Sequence, residues 1–221
     1  MNILPLILAR GGSKGLPRKN IKSFNGKPLL SYVLIEALNV FPRVYISTED
    51  FEIKEIAKEY GGLVIDRPPE LATDEAKSID AVKHALMVHD ANAVCLLNAC
   101  APFTTAKDIQ NSLELFAEAD SVTSLVEDFS SHPSKVCYLH DSKIIPIGNF
   151  STGERQLQER IYKRNTAIYI AKKEVIESGT FFGKNCKGYV MPKERSFDIN
   201  DSIDFLICSL IYETIRKQSA D

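Results

Sequence analysis

The chain has 221 residues, which is enough for one substantial hydrophobic core and too short for two ordinary domains. Its 27 basic and 29 acidic residues give a formal net charge of −2, which argues against a general nucleic-acid-binding protein. The first apolar run follows no cationic segment and is too short for a signal peptide or a membrane span, so we expect a cytoplasmic protein without a membrane partner. The five scattered cysteines lack C-x-x-C spacing and favour reduced thiols over disulfides or a zinc site.

Short apolar runs alternate with longer amphipathic ones, a pattern typical of α/β folds with a largely parallel sheet. We predict strands at Ile3–Ala9, Val44–Ser47, Leu63–Asp66, Ala93–Asn98 and Ser121–Val126. We predict helices at Leu29–Asn39, Phe51–Tyr60, Ser78–His89, Ala106–Glu118 and Ser202–Lys217. The fourth helix has a clear apolar face, so we expect its acids to face solvent. These acids are Asp108, Glu114 and Glu118.

Residues from about 130 to 163 differ in pattern from the rest of the chain. Val136–His140 and Lys143–Ile147 predict a hairpin around Asp141 and Ser142, and the polar segment 151–160 follows. Composition alone indicates an irregular insertion into a single domain that spans residues 1–221.

A glycine-rich basic loop, residues 10–20 (RGGSKGLPRKN), follows the first predicted strand. Glycines let backbone N–H groups approach an anion closely, and cations offset the charge of a polyphosphate. Residues 1–35 carry six basic side chains and no acidic one, so we expect an anionic ligand. The spacing matches neither the Walker A motif nor the G-x-G-x-x-G fingerprint, and a solvated basic turn is the alternative.

Ligands of doubly wound sheets bind beyond the carboxyl ends of the strands. We therefore expect the loop, Arg67 after the third strand and Asn98 after the fourth to surround one crevice. A triphosphate carries roughly four negative charges near neutral pH, so several cations should surround it. The candidates for phosphate binding are Arg10, Lys14, Lys19 and Arg67. Any one of them alone is more often a surface charge than a ligand, but as a set at the strand ends they favour phosphate binding.

The string 9–20, ARGGSKGLPRKN, closely resembles the nucleotide-binding loop of the CMP-sialic acid synthetases (acylneuraminate or nonulosonate cytidylyltransferases), which activate nine-carbon keto-sugar acids with CTP. The resemblance covers nearly the whole chain in five segments that occur in the family's order. It implies a Rossmann-like α/β nucleotidyltransferase with a mostly parallel sheet, whose insertion builds the contact of a homodimer. It also implies CTP and a nonulosonic acid as substrates, CMP-sugar and pyrophosphate as products, and Mg²⁺ as cofactor, with Mn²⁺ as a substitute.

The resemblance assigns nucleotide contacts to Ala9, Arg10, Gly11, Gly12, Ser13, Lys19 and Asn20. Residues 66–74, DRPPELATD, resemble the family's R-P-x-x-L-A-x-D segment and add Arg67. Ser78 matches a family serine at the nucleotide, although a plain helix N-cap is the alternative. Residues 98–104, NACAPFT, depart from the family's Q-x-T-S-P-L-R. Asn98 is one methylene shorter than Gln but is retained as a contact of both nucleotide and sugar.

For the acceptor, Arg155 matches an arginine of the family's dimer segment that serves the active site. Residues 165–170, NTAIYI, resemble the family's N-G-A-I-Y-I strand, with Thr166 in place of Gly. The resemblance thus implies sugar contacts from Arg155, Lys163 and Asn165, with Arg164 also chemically suited to the acceptor carboxylate. A turn residue at the entry to the strand is the alternative for Asn165.

Residues 198–205, DINDSIDF, resemble the family's D-I-D-x-x-x-D-F pattern, whose first two acids hold Mg²⁺. The metal candidates are therefore Asp198 and Asn200, which share one face of an extended segment. Asp201 substitutes for Asn200 only if the backbone turns, and Asp201 or Ser202 capping the last helix is the alternative.

The implied reaction depends on positioning and charge neutralisation, for which the expected catalytic residues are Arg10, Lys14, Lys19, Arg155 and Asp198. Two other functions stay open: a cytidylyltransferase for another keto-sugar acid, such as 3-deoxy-manno-octulosonate, and a nucleotide-binding regulatory paralogue with little turnover. The acceptor is N-acetylneuraminate, legionaminate, pseudaminate or a relative. We expect its identity to depend on a wall formed by Asn98, Phe103 and Thr166.

Overall fold

The structure, a computed structural model, describes residues 1–149 and 159–218. Its strands are β1 (Ile3–Leu8), β2 (Ser23–Phe24), β3 (Lys27–Pro28), β4 (Tyr45–Thr48), β5 (Leu63–Asp66), β6 (Ala93–Asn98), β7 (Ser121–Glu127), β8 (Cys137–His140), β9 (Lys143–Pro146), β10 (Tyr162–Lys172) and β11 (Cys186–Val190). Its α-helices are α1 (Leu29–Leu38), α2 (Phe51–Glu59), α3 (Ser78–Val88), α4 (Ala106–Phe116), α5 (Lys173–Glu177) and α6 (Ser202–Gln218).

Seven strands form the central sheet in the order β11-β7-β10-β6-β1-β4-β5. Neighbouring strands are parallel except at β10, which is antiparallel to both β6 and β7. Apolar side chains of α1, α2 and α4 pack on one face of the sheet, and those of α3 and α5 pack on the other. The predicted α/β, Rossmann-like architecture with a mostly parallel sheet is confirmed.

All five predicted strands and all five predicted helices are present, with each end within two residues of the prediction. The predicted hairpin is also present as β8 and β9, and its turn residues Asp141 and Ser142 both have positive φ. Positive φ at both central residues is characteristic of the tight turns that match the twist of a hairpin. The sequence patterns did not predict the short pair β2–β3, the helix α5 or the edge strand β11.

The expectation that Asp108 faces solvent is wrong, because its side chain is fully buried. Arg195 donates to both carboxylate oxygens, from Nε to Oδ2 at 2.9 Å and from Nη2 to Oδ1 at 2.8 Å. Asp108 also closes a capping box with Thr105 at the start of α4. Burial opposes ionisation, but the hydrogen bonds from Arg195 and Thr105 outweigh it, and the pKa of Asp108 lies below its ordinary value. This ion pair ties the segment before Asp198 to α4.

Strand β10 carries a large bulge that faces the carboxyl end of β6. Arg164 pairs with Leu125 and Tyr169 pairs with Thr123, so residues 165–168 lie opposite Ser124 alone. Bulges of this kind redirect side chains and occur frequently beside active sites.

The insertion after β7 lies apart from the central sheet. Strands β8 and β9 pair only with each other, and every residue in them is exposed. The expected catalytic and sugar-binding residue Arg155 lies outside the described residues. No helix in the described part of the chain is both long and apolar enough to span a lipid bilayer.

Candidate active site

A cleft of about 470 Å³ opens at the carboxyl ends of β1, β5 and β6. Its walls come from segments far apart in sequence, which the sheet topology brings to one edge. The predicted residues that line it are Arg10, Ser13, Lys14, Lys19, Asn20, Arg67, Ser78, Asn98 and Asn200.

The loop 10–20 is fixed by close backbone approaches at two of its glycines. The Gly11 N–H donates to Glu49 Oε1 at 2.7 Å, and a Cβ on Gly11 would lie 2.5 Å from Asp50 Oδ2. A Cβ on Gly15 would lie 2.4 Å from the carbonyl oxygen of Asn200. Gly12, by contrast, has open space around it, and Ala9 before the loop is fully buried. The loop is therefore held between the end of β4 and the segment that carries Asp198.

Asp74 holds two of the predicted phosphate-binding cations over the cleft. Its Oδ1 lies 3.0 Å from Arg10 Nη2, and its Oδ2 lies 2.9 Å from Lys14 Nζ. Arg10 also donates to the Thr73 carbonyl at 2.7 Å. The hydrogen bond from Lys14 is the main reason that the pKa of Asp74 lies below its ordinary value. An anionic carboxylate thus already accompanies the two cations where we expect phosphate.

The other two cations are anchored to the backbone. Arg67 is 6% exposed, and its guanidinium donates to Ser47 Oγ at 3.0 Å and to the Ser47 carbonyl at 2.5 Å. Burial lowers the pKa of Arg67. Lys19 Nζ donates to the Ile199 carbonyl at 2.7 Å, so it joins the loop to the segment around Asp198.

Asn20 and Ser78, the polar residues expected at the cytidine, differ in burial and in the hydrogen bonds that they already make. Asn20 is 6% exposed; its Nδ2 donates to the Arg10 carbonyl at 2.9 Å, and its Oδ1 accepts from the Cys100 thiol at 3.4 Å. An amide offers two donors and two lone pairs, so each atom keeps capacity for one further bond. Ser78 is exposed in the cleft; the N-cap alternative is wrong, because Lys77 holds that position without a side-chain capping bond.

A second pocket of about 340 Å³ adjoins the cleft and shares Ser78 and Asn98 with it. Three aromatic side chains line it: Tyr169, Phe181 and Phe182. The guanidinium of Arg164 lies 5.1 Å from the ring centre of Phe182. The sequence patterns did not predict this aromatic wall, although the adjacent pair Phe181-Phe182 is visible in the sequence.

The expectation that Phe103 forms part of the acceptor wall is wrong. Phe103 is buried and packs edge-to-face on Phe24, with ring centres 6.4 Å apart. The two other expected wall residues, Asn98 and Thr166, do line the second pocket.

A third pocket of about 330 Å³ contains Lys163, Arg164 and Asn165 among its lining residues. Asp198 lines this pocket and not the cleft, whereas Asn200 lines both. Lys163 is exposed and lies 3.3 Å from Asp128 Oδ2. Asn165 is only 4% exposed; its Oδ1 accepts from Ser124 Oγ at 2.5 Å, and its Nδ2 donates to Ser196 Oγ at 3.0 Å. The hydrogen bonds of the Asn165 amide therefore hold the bulge of β10 in place.

The metal candidates lie on one face of an extended segment, as their spacing predicts. Ile199 between them is fully buried, and its N–H donates to the Cys100 carbonyl at 2.9 Å. Asn200 Nδ2 donates to Asp198 Oδ2 at 3.0 Å. Asp201 Oδ1 accepts from the backbone N–H groups of Ile203 and Asp204, so the alternative that Asp201 caps the last helix is confirmed.

These oxygen donors fit a magnesium ion that is completed by substrate. Mg²⁺ is usually held by one or two carboxylates together with phosphate oxygens and water. Asp198 would supply one carboxylate; the Asn200 amide nitrogen donates to that carboxylate, and the neutral amide oxygen of Asn200 would be the second protein donor. Among the described residues, no group of three His, Cys, Asp or Glu side chains is arranged to hold a metal by itself.

Residues 4–217 match the profile of the family described as Cytidylyltransferase. The chain is 34% identical over 99% of its length to an N-acylneuraminate cytidylyltransferase of Escherichia coli, covering 54% of that protein. It is 32% identical over 99% of its length to post-translational flagellin modification protein B of Campylobacter coli, covering 98% of it. It is 35% identical over 92% of its length to N-acylneuraminate cytidylyltransferase A of Danio rerio, covering 49% of it. The chain therefore spans about half the length of two of these relatives and nearly all of the third.

Two solved structures share the fold. A CMP:2-keto-3-deoxy-manno-octonic acid synthetase complexed with CTP aligns with a TM-score of 0.73 at 15% identity, covering 97% of this chain and 99% of that one. A 4-diphosphocytidyl-2C-methyl-D-erythritol synthase from Anaerococcus prevotii aligns with a TM-score of 0.67 at 12% identity, covering 96% of this chain and 99% of that one.

Proposed function

Because the chain belongs to the cytidylyltransferase family and is similar to N-acylneuraminate cytidylyltransferases, we propose that it transfers CMP from CTP to a sialic-type nonulosonic acid and releases pyrophosphate. The observation that carries this proposal is the convergence of four cations on one cleft at the carboxyl end of the sheet. They are Arg10, Lys14, Lys19 and Arg67.

The triphosphate occupies the position where Asp74 now accompanies Arg10 and Lys14. Arg10 and Lys14 exchange the Asp74 carboxylate for phosphate oxygens, and Lys19 and Arg67, which also line the cleft, supply further positive charge. Fixed cations in a partly closed cleft stabilise the charge that builds on the departing pyrophosphate. Asn20 and Ser78 keep free hydrogen-bonding capacity for the cytidine.

The acceptor occupies the second pocket. Its aromatic wall suits the apolar parts of an acylated sugar, while Arg164 and Lys163 lie within the region that its carboxylate would reach. Arg155 of the insertion remains part of this proposal. The anomeric oxygen forms a bond to the α-phosphorus in line, the bond from that phosphorus to the β-phosphate oxygen breaks, and the hydroxyl proton passes to water.

Asp198, with Asn200 beside it, is the residue that we propose holds Mg²⁺ or Mn²⁺. When bound, the ion would supply neutralising charge at the phosphate oxygens and would favour loss of the proton from the attacking hydroxyl. The contribution of the chain itself is to hold the Asp198 carboxylate in the wall of the third pocket, next to Asn200, which lines both that pocket and the cleft.

We also propose a cytoplasmic homodimer. Both faces of the insertion hairpin expose apolar side chains, and α6 exposes a stripe at helical spacing. The residues of that stripe are Ile203, Leu206, Ile207 and Leu210. Contiguous exposed apolar surface of this kind marks interaction sites. The mass in solution, measured by light scattering, decides between one copy and two.

Pyrophosphate release tests the proposed reaction. The protein is mixed with CTP, Mg²⁺ and one acid at a time from N-acetylneuraminate, legionaminate, pseudaminate and 3-deoxy-manno-octulosonate. We expect release with a nine-carbon acid and the matching CMP-sugar by mass spectrometry. Release with 3-deoxy-manno-octulosonate alone would favour the other keto-sugar acid, and CTP binding without release from any acid would favour a regulatory paralogue.

A further inference from the structure

Thr166 has an unusual backbone conformation for its residue type. Its φ is +59°, in the left-handed region. That region is unfavourable for L-amino acids and especially for β-branched ones, because Cβ crowds the backbone. Such a conformation persists only where surrounding contacts impose it, and it is concentrated at functional sites. Here the buried bonds of Asn165 with Ser124 and Ser196 impose it from the preceding residue.

The hydroxyl of Thr166 joins two residues that the proposed function needs. It accepts a hydrogen bond from Asn98 Nδ2 at 3.4 Å and donates one to Asp198 Oδ2 at 3.5 Å. Asn98 is the last residue of β6 and lines the nucleotide cleft, and Asp198 is the proposed metal ligand. Thr166 itself lines both the second and the third pocket. It therefore lies where nucleotide, acceptor and cation would meet.

Three departures from the resembled pattern lie in this one cluster. In this chain Asn98 replaces the longer Gln of that pattern, Thr166 replaces Gly, and Asn200 replaces Asp. Asn200 Nδ2 donates to the same Asp198 oxygen that Thr166 reaches. A glycine at position 166 would relieve the backbone but would leave a gap between Asn98 and Asp198. The Thr166 side chain occupies the space between Asn98 Nδ2 and Asp198 Oδ2.

We propose that Thr166 is a positioning residue for Asp198, an inference that rests on the proposed function. Its hydroxyl and the Asn200 amide hold Oδ2, while Oδ1 receives no hydrogen bond from the described part of the chain and stays available to a cation. Groups that orient a metal ligand in this way commonly change metal affinity by about 10- to 100-fold when they are removed.

Three variants separate the hydroxyl from the backbone strain. Thr166→Val keeps the β-branched shape and removes the hydroxyl, Thr166→Ser keeps the hydroxyl, and Thr166→Gly removes both. We expect Thr166→Val to raise the Mg²⁺ concentration for half-maximal pyrophosphate release by about 10- to 100-fold, with the KM for CTP changed less than about twofold. Thr166→Ser should stay close to the wild type. Thr166→Gly should melt about 1–3 °C higher and still show the Mg²⁺ defect.

Mn²⁺ binding gives a readout that does not depend on turnover. Free Mn²⁺ is measured by electron paramagnetic resonance with protein and CTP present, and Thr166→Val should weaken binding by the same factor. The double variant Asn98→Gln, Thr166→Gly restores the longer amide against glycine and should recover most of the affinity that Thr166→Gly loses. Such recovery shows that the two positions act together.

Wild-type Mg²⁺ dependence and Mn²⁺ binding in Thr166→Val would overturn the inference and leave the proposed function intact. If Thr166→Val does not fold, Thr166→Gly decides in the same way, since it relieves strain. If the wild type itself releases no pyrophosphate with any acid, the proposed function fails, and the Mn²⁺ measurement still decides the role of Thr166.

Discussion

Gly15→Ala is expected to force the loop 10–20 away from the segment that carries Asp198. The new Cβ would lie 2.4 Å from the Asn200 carbonyl oxygen, whereas ordinary contact begins near 3.4 Å. The carbonyl oxygen belongs to the main chain and the position of a Cβ is fixed by its own backbone, so no side-chain rotation can relieve the clash. The two segments must therefore separate by about 1 Å.

We expect Gly15→Ala to lower both the free energy of unfolding and the rate of pyrophosphate release. Overpacking of this kind costs about 1–3 kcal/mol of the free energy of unfolding, which corresponds to a melting temperature about 2–12 °C lower for a chain of this size. A displacement of about 1 Å at a reacting centre can cost about 100-fold in rate. The bond from Lys19 Nζ to the Ile199 carbonyl crosses the same junction and would be stretched with it. Thermal melts and pyrophosphate release measure the two effects.

Gly12→Ala is the matched control. It lies in the same loop, and a Cβ there meets nothing within 4 Å. We expect a change in the free energy of unfolding of less than about 0.5 kcal/mol, and because Gly12 is itself an expected nucleotide contact, it serves as the control for the thermal melt only. If Gly15→Ala behaved like Gly12→Ala, the close approach to Asn200 would not be what shapes the cleft.

Asp108→Asn should lower the free energy of unfolding at pH 7 by about 3 kcal/mol, because Arg195 loses its buried partner. Glu118→Gln, at an exposed ion pair with Lys187, should leave the midpoint of the same urea titration nearly unchanged. The pKa of Asp108 is lowered from its ordinary value of 3.8, so the stabilisation by its carboxylate is complete above pH 3.8 and is lost only at lower pH. A difference in stability between the wild type and Asp108→Asn that fades already near pH 6 would refute the assignment. Asp198→Ala should abolish pyrophosphate release while calorimetry shows CTP affinity largely retained; wild-type rates would remove Asp198 from the metal site. Asp74→Asn should tighten CTP binding about two- to fivefold at low salt, because a competing carboxylate is gone, and an unchanged Kd would show that Asp74 does not compete with phosphate.

The sequence predicts the buried strands well because central parallel strands are nearly continuous apolar runs. β1 (ILPLIL) and β6 (AVCLLN) are of this type. The edge strand β11 (CKGYV) carries Lys187 and Gly188 and is half exposed, so no comparable pattern marks it. Helix α5 has only five residues, which is too short for a periodic signal.

At the site, the rule that ligands bind at strand ends was sufficient to group the loop with Arg67 and Asn98. The partners of these residues depend on tertiary packing, which periodicity does not encode. Asp108 illustrates this, since helical spacing places it on the polar face but Arg195, 87 positions later in the chain, buries it. The role of Asn165 likewise depends on tertiary packing. From the sequence, a short polar residue there is compatible with a turn, a ligand contact or a buried hydrogen bond, and the structure shows the buried hydrogen bond from Ser124.

The contacts of Gly15 and Lys19 with residues 199–200 join parts of the chain that are about 180 positions apart. All seven strands of the main sheet precede residue 191, whereas the loop 10–20 gains its contacts at Gly15 and Lys19 only from residues 199–200. Closing so long a stretch of chain is slow and comes late in folding. A prematurely terminated product would thus retain the basic loop but lack the Asp198 segment on which the proposed nucleotidyl transfer depends.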